Sequence, residues 1–303
     1  MRALSYLTIF CVLLALFARW QGFEFSGSGQ SVHHLEIPSD GPAPFHTHPI
    51  WESGKAEFCV YDSSFSKYGT QRRFLTDVIT IRENFHPQRM TKADQPDITG
   101  AIPILKMNRI RRIPTGIYDY SQSLSLFASR KDPSQLIKLA FSSADGCGIS
   151  YSEIKADSSG MEGDFYTYWE KGVHGKQKIA EPGTISYDQL PFYLRSKDLS
   201  SYQSENVRLL GSVFSSYLRK LPIYDCRIIN LGEKSLKIGK RDMRTYHLKL
   251  QFGEMEEELF LGAYPTQPLL RWKRADGSED RLKSLRYLYY WELTKPGDRE
   301  RNI

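Results

Sequence analysis

The chain has little cysteine: Cys11, Cys59, Cys147 and Cys226 are the 4 in 303 residues. A disulfide-stapled small scaffold is thereby excluded. Without the N-terminal segment three cysteines remain: Cys59, Cys147 and Cys226. They allow at most one disulfide, in any of three pairings, or serve as three small buried apolar side chains. No C-x-x-C spacing occurs, so neither a redox dithiol nor a zinc knuckle is indicated. Charge of one sign is also scarce. Lys and Arg number 41 against 35 Asp and Glu, a net +6. That surplus is not the clustered stripe of a nucleic-acid-binding protein, and no nucleic-acid partner is expected. The densest basic runs, NRIRRI (108–113) and KIGKRDMR (237–244), alternate with apolar residues and read as solvated strand faces.

Catalytic signatures are missing as well. There is no G-x-S-x-G elbow, S-x-x-K, Walker A sequence or H-E-x-x-H. GCGISY (146–151) begins like a dinucleotide fingerprint but lacks its third glycine and its βαβ setting. It reads as a turn entering a strand. No EF-hand loop occurs, and GEMEEELF (253–260) reads as a charged hairpin end rather than a calcium site. The 7 histidines include the H-T-H pair His46 and His48, which on a strand would point the same way. No third ligand can be named for them, so no metal is expected. No catalytic residue and no cofactor follow from the sequence. An enzyme would need a site assembled from distant residues.

One long apolar run is present. Residues 3–18, ALSYLTIFCVLLALFA, follow Arg2 and fit a signal peptide, here bounded as 1–21. Ala18 suits a cleavage site, whereas Leu16 sits where a small residue is preferred, so an uncleaved anchor is the alternative. Phe10 before Cys11 argues against lipidation there. An extracytoplasmic location, periplasmic or cell envelope, is expected, with membrane association only through this segment. Residues 22–48, rich in Gly, Ser, Pro and His, read as a flexible tether.

From residue 49 to 294 the sequence reads as one β-rich domain. Two-residue alternation recurs in EFCVY (57–61), FLTDVITIR (74–82), IYDYSQSLSLFA (117–128), LIKLAFSS (136–143), ISYSEI (149–154) and DFYTYWEK (164–171). A second series is YDCRIINL (224–231), SLKIG (235–239), TYHLKLQF (245–252), EELFLGAY (257–264), LLRWKRA (269–275) and RYLYYWEL (286–293). Asp145-Gly146, Ser159-Gly160, Gly232, Gly253 and Asp276-Gly277 mark breaks. The spacings are too short for helical crossovers. A mainly β fold follows: a large curved antiparallel meander or open half-barrel, with one or two helices packed against it. The strand-rich halves, 49–186 and 219–294, flank a helical insertion at 187–218. There YDQLPFYLRS (187–196) has Asp188 as its N-cap, and VRLLGSVFSSYL (207–218) is a second candidate helix. The tail 295–303 is expected to fray.

Aromatic residues are plentiful: 5 Trp, 18 Tyr and 16 Phe. Alternating along strands, they suit a sheet core or the wall of an apolar groove. Tyr118, Tyr120, Tyr168, Trp169 and Trp272 are the candidate wall residues.

Two stretches resemble known families. Trp51, Gly54-Lys55-Ala56-Glu57, Lys67-Tyr68-Gly69, Glu83, Phe85 and Thr115-Gly116-Ile117-Tyr118-Asp119-Tyr120, with LPFYLR (190–195), resemble a family of exported bacterial proteins of uncharacterised function. The likeness covers most of 51–293. In SSADGCG (142–148), Asp145-Gly146 stands where that family carries an aromatic residue before Cys-Gly. Some members are labelled septum formation inhibitor Maf. Maf-type nucleotide pyrophosphatases are cytosolic α/β enzymes, and this chain has neither their acidic motifs nor a parallel-sheet pattern. Residues 245–277, ending in P-x-x-P-L-L-R-W, resemble periplasmic lipoprotein carriers of the LolA type. That likeness implies a curved antiparallel sheet wrapped over helices. The combined reading is a secreted, non-enzymatic envelope protein that binds an apolar ligand, lipid or lipoprotein. The alternative is a structural protein whose sheet edges or basic faces dock another envelope protein.

Overall fold

The computed structural model describes residues 34–38, 44–95 and 99–303. The leader at 1–21 and part of the tether lie outside them.

The strands are β1 (Ala56–Lys67), β2 (Thr70–His86), β3 (Thr91–Lys92), β4 (Ile102–Pro114), β5 (Asp119–Ser129), β6 (Leu136–Ala144), β7 (Ile149–Asp157), β8 (Gly160–Thr167), β9 (Gly175–Ala180) and β10 (Thr184–Ser186). After helix α1 (Leu190–Arg195) come β11 (Ser204–Leu210), β12 (Ile223–Ile238), β13 (Arg241–Phe252), β14 (Met255–Gly262), β15 (Leu269–Lys273) and β16 (Glu279–Leu288), then helix α2 (Asp298–Asn302). All strands join one sheet in the order β10-β11-β12-β13-β14-β15-β16-β1-β2-β4-β5-β6-β7-β8-β9, with β3 paired to β2 off that path. Neighbours are antiparallel except β10 and β11, which run parallel.

The sheet is barrel-shaped and nearly closed. The first and last long strands meet, with Ala56 opposite Leu288 and Ser64 opposite Glu279. This seals the two strand series into one sheet. The remaining seam lies between the edge strands β9 and β10, which are separated in sequence only by Glu181-Pro182-Gly183. The expected mainly β fold, a large curved antiparallel sheet with one or two helices packed against it, is the one observed; the sheet curls round on itself beyond an open half-barrel and keeps its one buried helix inside.

The alternation of apolar and polar residues makes this possible. In β5, Leu124, Leu126 and Ala128 are buried, while Ser125 and Phe127 between them are only partly buried. A side chain of leucine size stabilises by ~1.5–3 kcal/mol when fully buried. Most strands contribute one such face to the interior; β3 is exposed at both residues, and β9 buries only Ala180.

Helix α1 plugs the barrel. All six of its residues are buried, as a helix enclosed on every side requires. Leu190, Tyr193 and Leu194 pack with the C-terminal strands. Phe192 packs with the N-terminal ones, beside Phe45 and Trp51.

Several expectations are corrected. Residues 207–218 are not helical: Ser204–Leu210 is strand and 211–222 is irregular. The apolar spacing in VRLLGSVF suits a buried strand followed by a strap as well as it suits a helix. Asp188 does not cap α1; its carboxylate accepts from Ser212 Oγ at 2.7 Å and Val213 N at 2.9 Å. YDCRIINL and SLKIG are one strand, β12, with an irregularity between Asn230 and Glu233 where Gly232 takes φ 91°. The tether is shorter than expected, because Phe45 and His48 are buried, as is Leu35, which bridges to Leu285. The tail is ordered rather than frayed: Arg299 of α2 holds Asp77 with two contacts of 2.7 and 2.8 Å, and Arg286 donates to the Asn302 carbonyl. Among the described residues no helix is long and apolar enough to cross a membrane.

Candidate ligand site in the barrel mouth

Antiparallel order places the β1–β2, β4–β5, β6–β7, β8–β9, β13–β14 and β15–β16 connections at one end of the barrel. The opposite end is filled by α1 and the 44–54 segment. The near end stays open and holds a pocket of about 350 Å³. The strap 211–222 crosses it.

The pocket wall mixes aromatic and charged side chains. Phe65 of β1, Phe74 of β2, Phe214 of the strap and Phe252 of β13 supply apolar surface, with Met255 and Tyr224. Arg109 and Arg111 project inward from β4, at positions opposite Val78 and Thr76. NRIRRI is therefore not a solvated face. Its polarity is inverted over 109–111, where Arg109 and Arg111 point into the barrel and Ile110 between them is exposed; Arg112 stays in solvent and Ile113 is buried. KIGKRDMR does keep its charges in solvent, with Ile238 and Met243 buried.

Asp280 organises one side of the pocket. Its carboxylate accepts from Ser63 Oγ at 2.5 Å and Arg274 at 2.6 Å, and it pairs with Arg109. Ser63 Oγ also lies 2.6 Å from Thr76 Oγ1. Burial pushes the Asp280 carboxyl up, but the Arg109 and Arg274 guanidiniums outweigh it and hold the group well below the usual carboxylate range. Glu257 accepts from Tyr187 Oη at 2.8 Å and Trp272 Nε1 at 2.8 Å. Burial raises its pKa, as it does that of Asp188.

Arg111 is different. Its Nε donates to Gln122 Oε1 at 2.8 Å. Its guanidinium carbon stands 4.0 Å from the Phe214 ring centre and 5.7 Å from that of Phe65. Among the described residues no carboxylate lies within ion-pair distance of it. Burial, then the cation of Arg109, push its pKa down to about 9, so it is still charged at neutral pH.

The five wall candidates do not share this pocket. Trp272 is buried beneath it, with its ring 5.0 Å from Tyr187. Tyr118, Tyr120, Tyr168 and Trp169 gather at the rim of the same end. The rings of Tyr118 and Tyr120 are 6.0 Å apart, and those of Tyr168 and Trp169 are 5.5 Å apart. Tyr120 is buried and shares a hydrogen bond with Tyr68. Tyr68, Ile117, Ile149, Tyr166 and Tyr168 are each more than half exposed, Ile117 fully. Cys147 is an exposed free thiol on this rim, while Cys59 and Cys226 are free and buried.

A larger open groove, about 880 Å³, runs along the seam past Asp157, Glu181, Tyr193 and Glu205. Its acidic groups are occupied locally: Asp157 by Ser159, Glu181 by Lys178 and Glu205 by Lys197. His46 and His48 join no third ligand; no cluster able to hold a metal occurs among the described residues.

These features define a class: a single-sheet, antiparallel, barrel-like protein with a charged aromatic mouth. No family model matches the chain, and no curated protein matches it. Among solved structures it is similar to a beta-barrel-like protein of domain of unknown function DUF1849 from Brucella abortus. Identity is 8%, the TM-score is 0.46, and the match covers 77% of this chain and 97% of that one.

Proposed function

We propose that this is a non-enzymatic binding protein of the cell envelope whose barrel mouth takes an apolar ligand, of lipid or lipoprotein type. The observation that carries the reading is the open pocket of about 350 Å³, roofed by a strap and walled by Phe65, Phe74, Phe214 and Phe252. Concave, partly apolar sites of ~300–1,000 Å³ are the usual form of small-ligand sites. The envelope location rests on the apolar run at 3–18. Native mass spectrometry of protein purified from its own host's envelope tests the reading. A discrete lipid-sized adduct supports it; a bare polypeptide mass, together with failure of the pocket to take up a fluorescent fatty-acid analogue, overturns it.

The exposed rim favours a second reading, docking of another envelope protein. Tyr68, Ile117, Ile149, Tyr166 and Tyr168 expose large apolar side chains around one end, and clustered patches of this kind commonly mark interaction surfaces. Crosslinking through Cys147 in the native envelope tests it. One stoichiometric partner, lost on Ile117→Ser with Tyr168→Ser, supports docking; a crosslink pattern unchanged by those substitutions sinks it.

A further inference from the structure

We infer that the barrel mouth selects an anionic amphiphile, with a carboxylate or phosphate head held by Arg111 and an apolar tail against Phe214, Phe252 and Met255. This rests on the proposed apolar-ligand reading and specifies the ligand's chemistry.

Hydrogen-bond capacity at the mouth is unevenly used. The buried carboxylates at the mouth are already occupied. Asp280 is filled by Ser63, Arg109 and Arg274. Asp188 is filled by Ser212 and Val213. Glu257 takes Tyr187 and Trp272. Among these charged groups, the capacity left over belongs to donors. Arg109 Nε is buried without a hydrogen-bond partner. Arg111 uses only Nε, and its terminal nitrogens bond to no described residue. A buried or half-buried donor left unmade is costly, and an arginine fork matches the two oxygens of a carboxylate or phosphate.

The position of Arg111 adds to this. It reaches the pocket from β4, with its guanidinium carbon 4.0 Å from the ring centre of Phe214 of the strap. The ring contact and the Nε bond to Gln122 hold the guanidinium in place and leave its terminal nitrogens for a bidentate contact. A cation placed among phenyl rings at the pocket entrance is costly to desolvate, and an oxyanion on an alkyl chain offsets that cost while burying its tail. A cationic or neutral amphiphile leaves the same donors unmade. Asp280 keeps Arg109 and Arg274 apart from this role, so Arg111 carries most of the selectivity.

The test is calorimetric titration of the full-length protein, freed of bound lipid, with octanoate, octyl phosphate, octanol and inorganic phosphate. The expected result is that both anionic amphiphiles bind at least about tenfold tighter than octanol. Arg111→Met keeps the side chain's approximate volume and should remove that preference, bringing octanoate and octyl phosphate to the affinity of octanol in the same variant; Arg111→Lys should restore part of it. Near-ultraviolet circular dichroism establishes that each variant is folded, and if Arg111→Met is not, Arg111→Gln replaces it. Equal affinity for octanol and octanoate in the wild type overturns head-group selection while leaving an apolar pocket. Phosphate binding as tightly as octyl phosphate overturns the amphiphile assignment in favour of a free-anion site. Binding of none of the four probes overturns both this inference and the apolar-ligand reading beneath it.

Discussion

Arg195 and Glu57, 138 residues apart, form a two-pronged ion pair inside the barrel, with N–O distances of 2.8 and 2.7 Å. Arg195 ends α1 and Glu57 is the second residue of β1. Arg195 Nε also donates to the Thr266 carbonyl at 2.8 Å, and Tyr287 Oη donates to Glu57 at 3.0 Å. The guanidinium carbon stands 3.9 Å from the Phe45 ring centre. One pair thus fastens the plug helix, the 44–54 segment and both sealing strands. Removing one partner leaves a buried charge alone, which costs ~3–5 kcal/mol, whereas replacing both with apolar groups is often close to neutral. Arg195→Met should therefore lower urea stability by about that amount, and Arg195→Met with Glu57→Met should recover most of it. Strictly additive losses in the double-mutant cycle would contradict this account.

Trp272 behaves as core, not as ligand wall. Its side chain is 1% exposed, its indole donates to Glu257 at 2.8 Å, and Arg274 lies 4.3 Å over its ring. Truncating a buried Trp to Ala costs ~3–5 kcal/mol. Trp272→Ala should lower the melting temperature sharply and weaken ligand binding only through that loss. A folded Trp272→Ala protein with unchanged melting temperature and lost binding would return the residue to the site.

Much of the sheet was legible because strand alternation is a local signal. Leu124, Leu126 and Ala128 announce their face without any knowledge of the partner strand. What alternation does not tell is which face turns inward once the sheet closes. In NRIRRI one isoleucine, Ile110, points out and two of the three arginines, Arg109 and Arg111, point into the mouth, while Arg112 stays in solvent and Ile113 is buried. That inversion depends on Asp280 and Phe214, both far away in sequence. The candidate site is illegible in the sequence for the same reason: its residues come from β1, β2, β4, the strap, β12, β13, β14, the β15–β16 turn and β16. Phe45 was hidden in a Pro- and His-rich stretch whose composition suggested a tether, although its ring packs edge-on to Trp51 at 5.5 Å. An isolated aromatic between prolines, six residues before a tryptophan, was the available signal.

Asp280 should dominate the acid sensitivity at the mouth. Its folded-state pKa lies below the unfolded value of about 3.9. A depressed carboxylate contributes stability that is fully present above the unfolded pKa and is lost as pH falls through the folded one. Asp188 and Glu257, raised by burial, act in the opposite sense. Asp280→Asn should be less stable than wild type at neutral pH, because Arg109 and Arg274 lose their carboxylate. The difference should shrink as pH drops below about 4. Urea midpoints from neutral pH down to the acid limb check this; a wild-type and variant gap independent of pH would refute it.

The three described cysteines should separate cleanly by reactivity. Burial pushes the Cys59 thiol well above its ordinary pKa and that of Cys226 up to about 11. Both are enclosed, while Cys147 is exposed on the β6–β7 turn. Thiolate fraction and access set the rate of alkylation. Of the three described cysteines, native protein should take up a maleimide rapidly at Cys147 alone, and denatured protein at all three. Peptide mapping after a short pulse reads the outcome. Labelling of Cys59 on the same timescale as Cys147 would mean that the barrel opens far more readily than its packing implies.

The seam should be the place where a single methyl does the most harm. Gly160 opens β8 with φ 116°, and a Cβ there would lie 2.3 Å from the Ala180 carbonyl oxygen. That carbonyl belongs to the end of β9, the sheet edge facing the seam. Gly253 supplies the comparison: its φ is 57° and nothing lies within 4 Å of an added Cβ. Backbone strain alone costs ~1–3 kcal/mol at such positions, and both substitutions incur it. Only Gly160→Ala must also push β9 away from β8. Gly160→Ala should therefore destabilise distinctly more than Gly253→Ala and speed amide exchange across 175–180. Gly253→Ala should leave those amides protected. If both variants lose equal stability and β9 exchange is unchanged, contact between β8 and β9 does not hold the barrel's free edge in place.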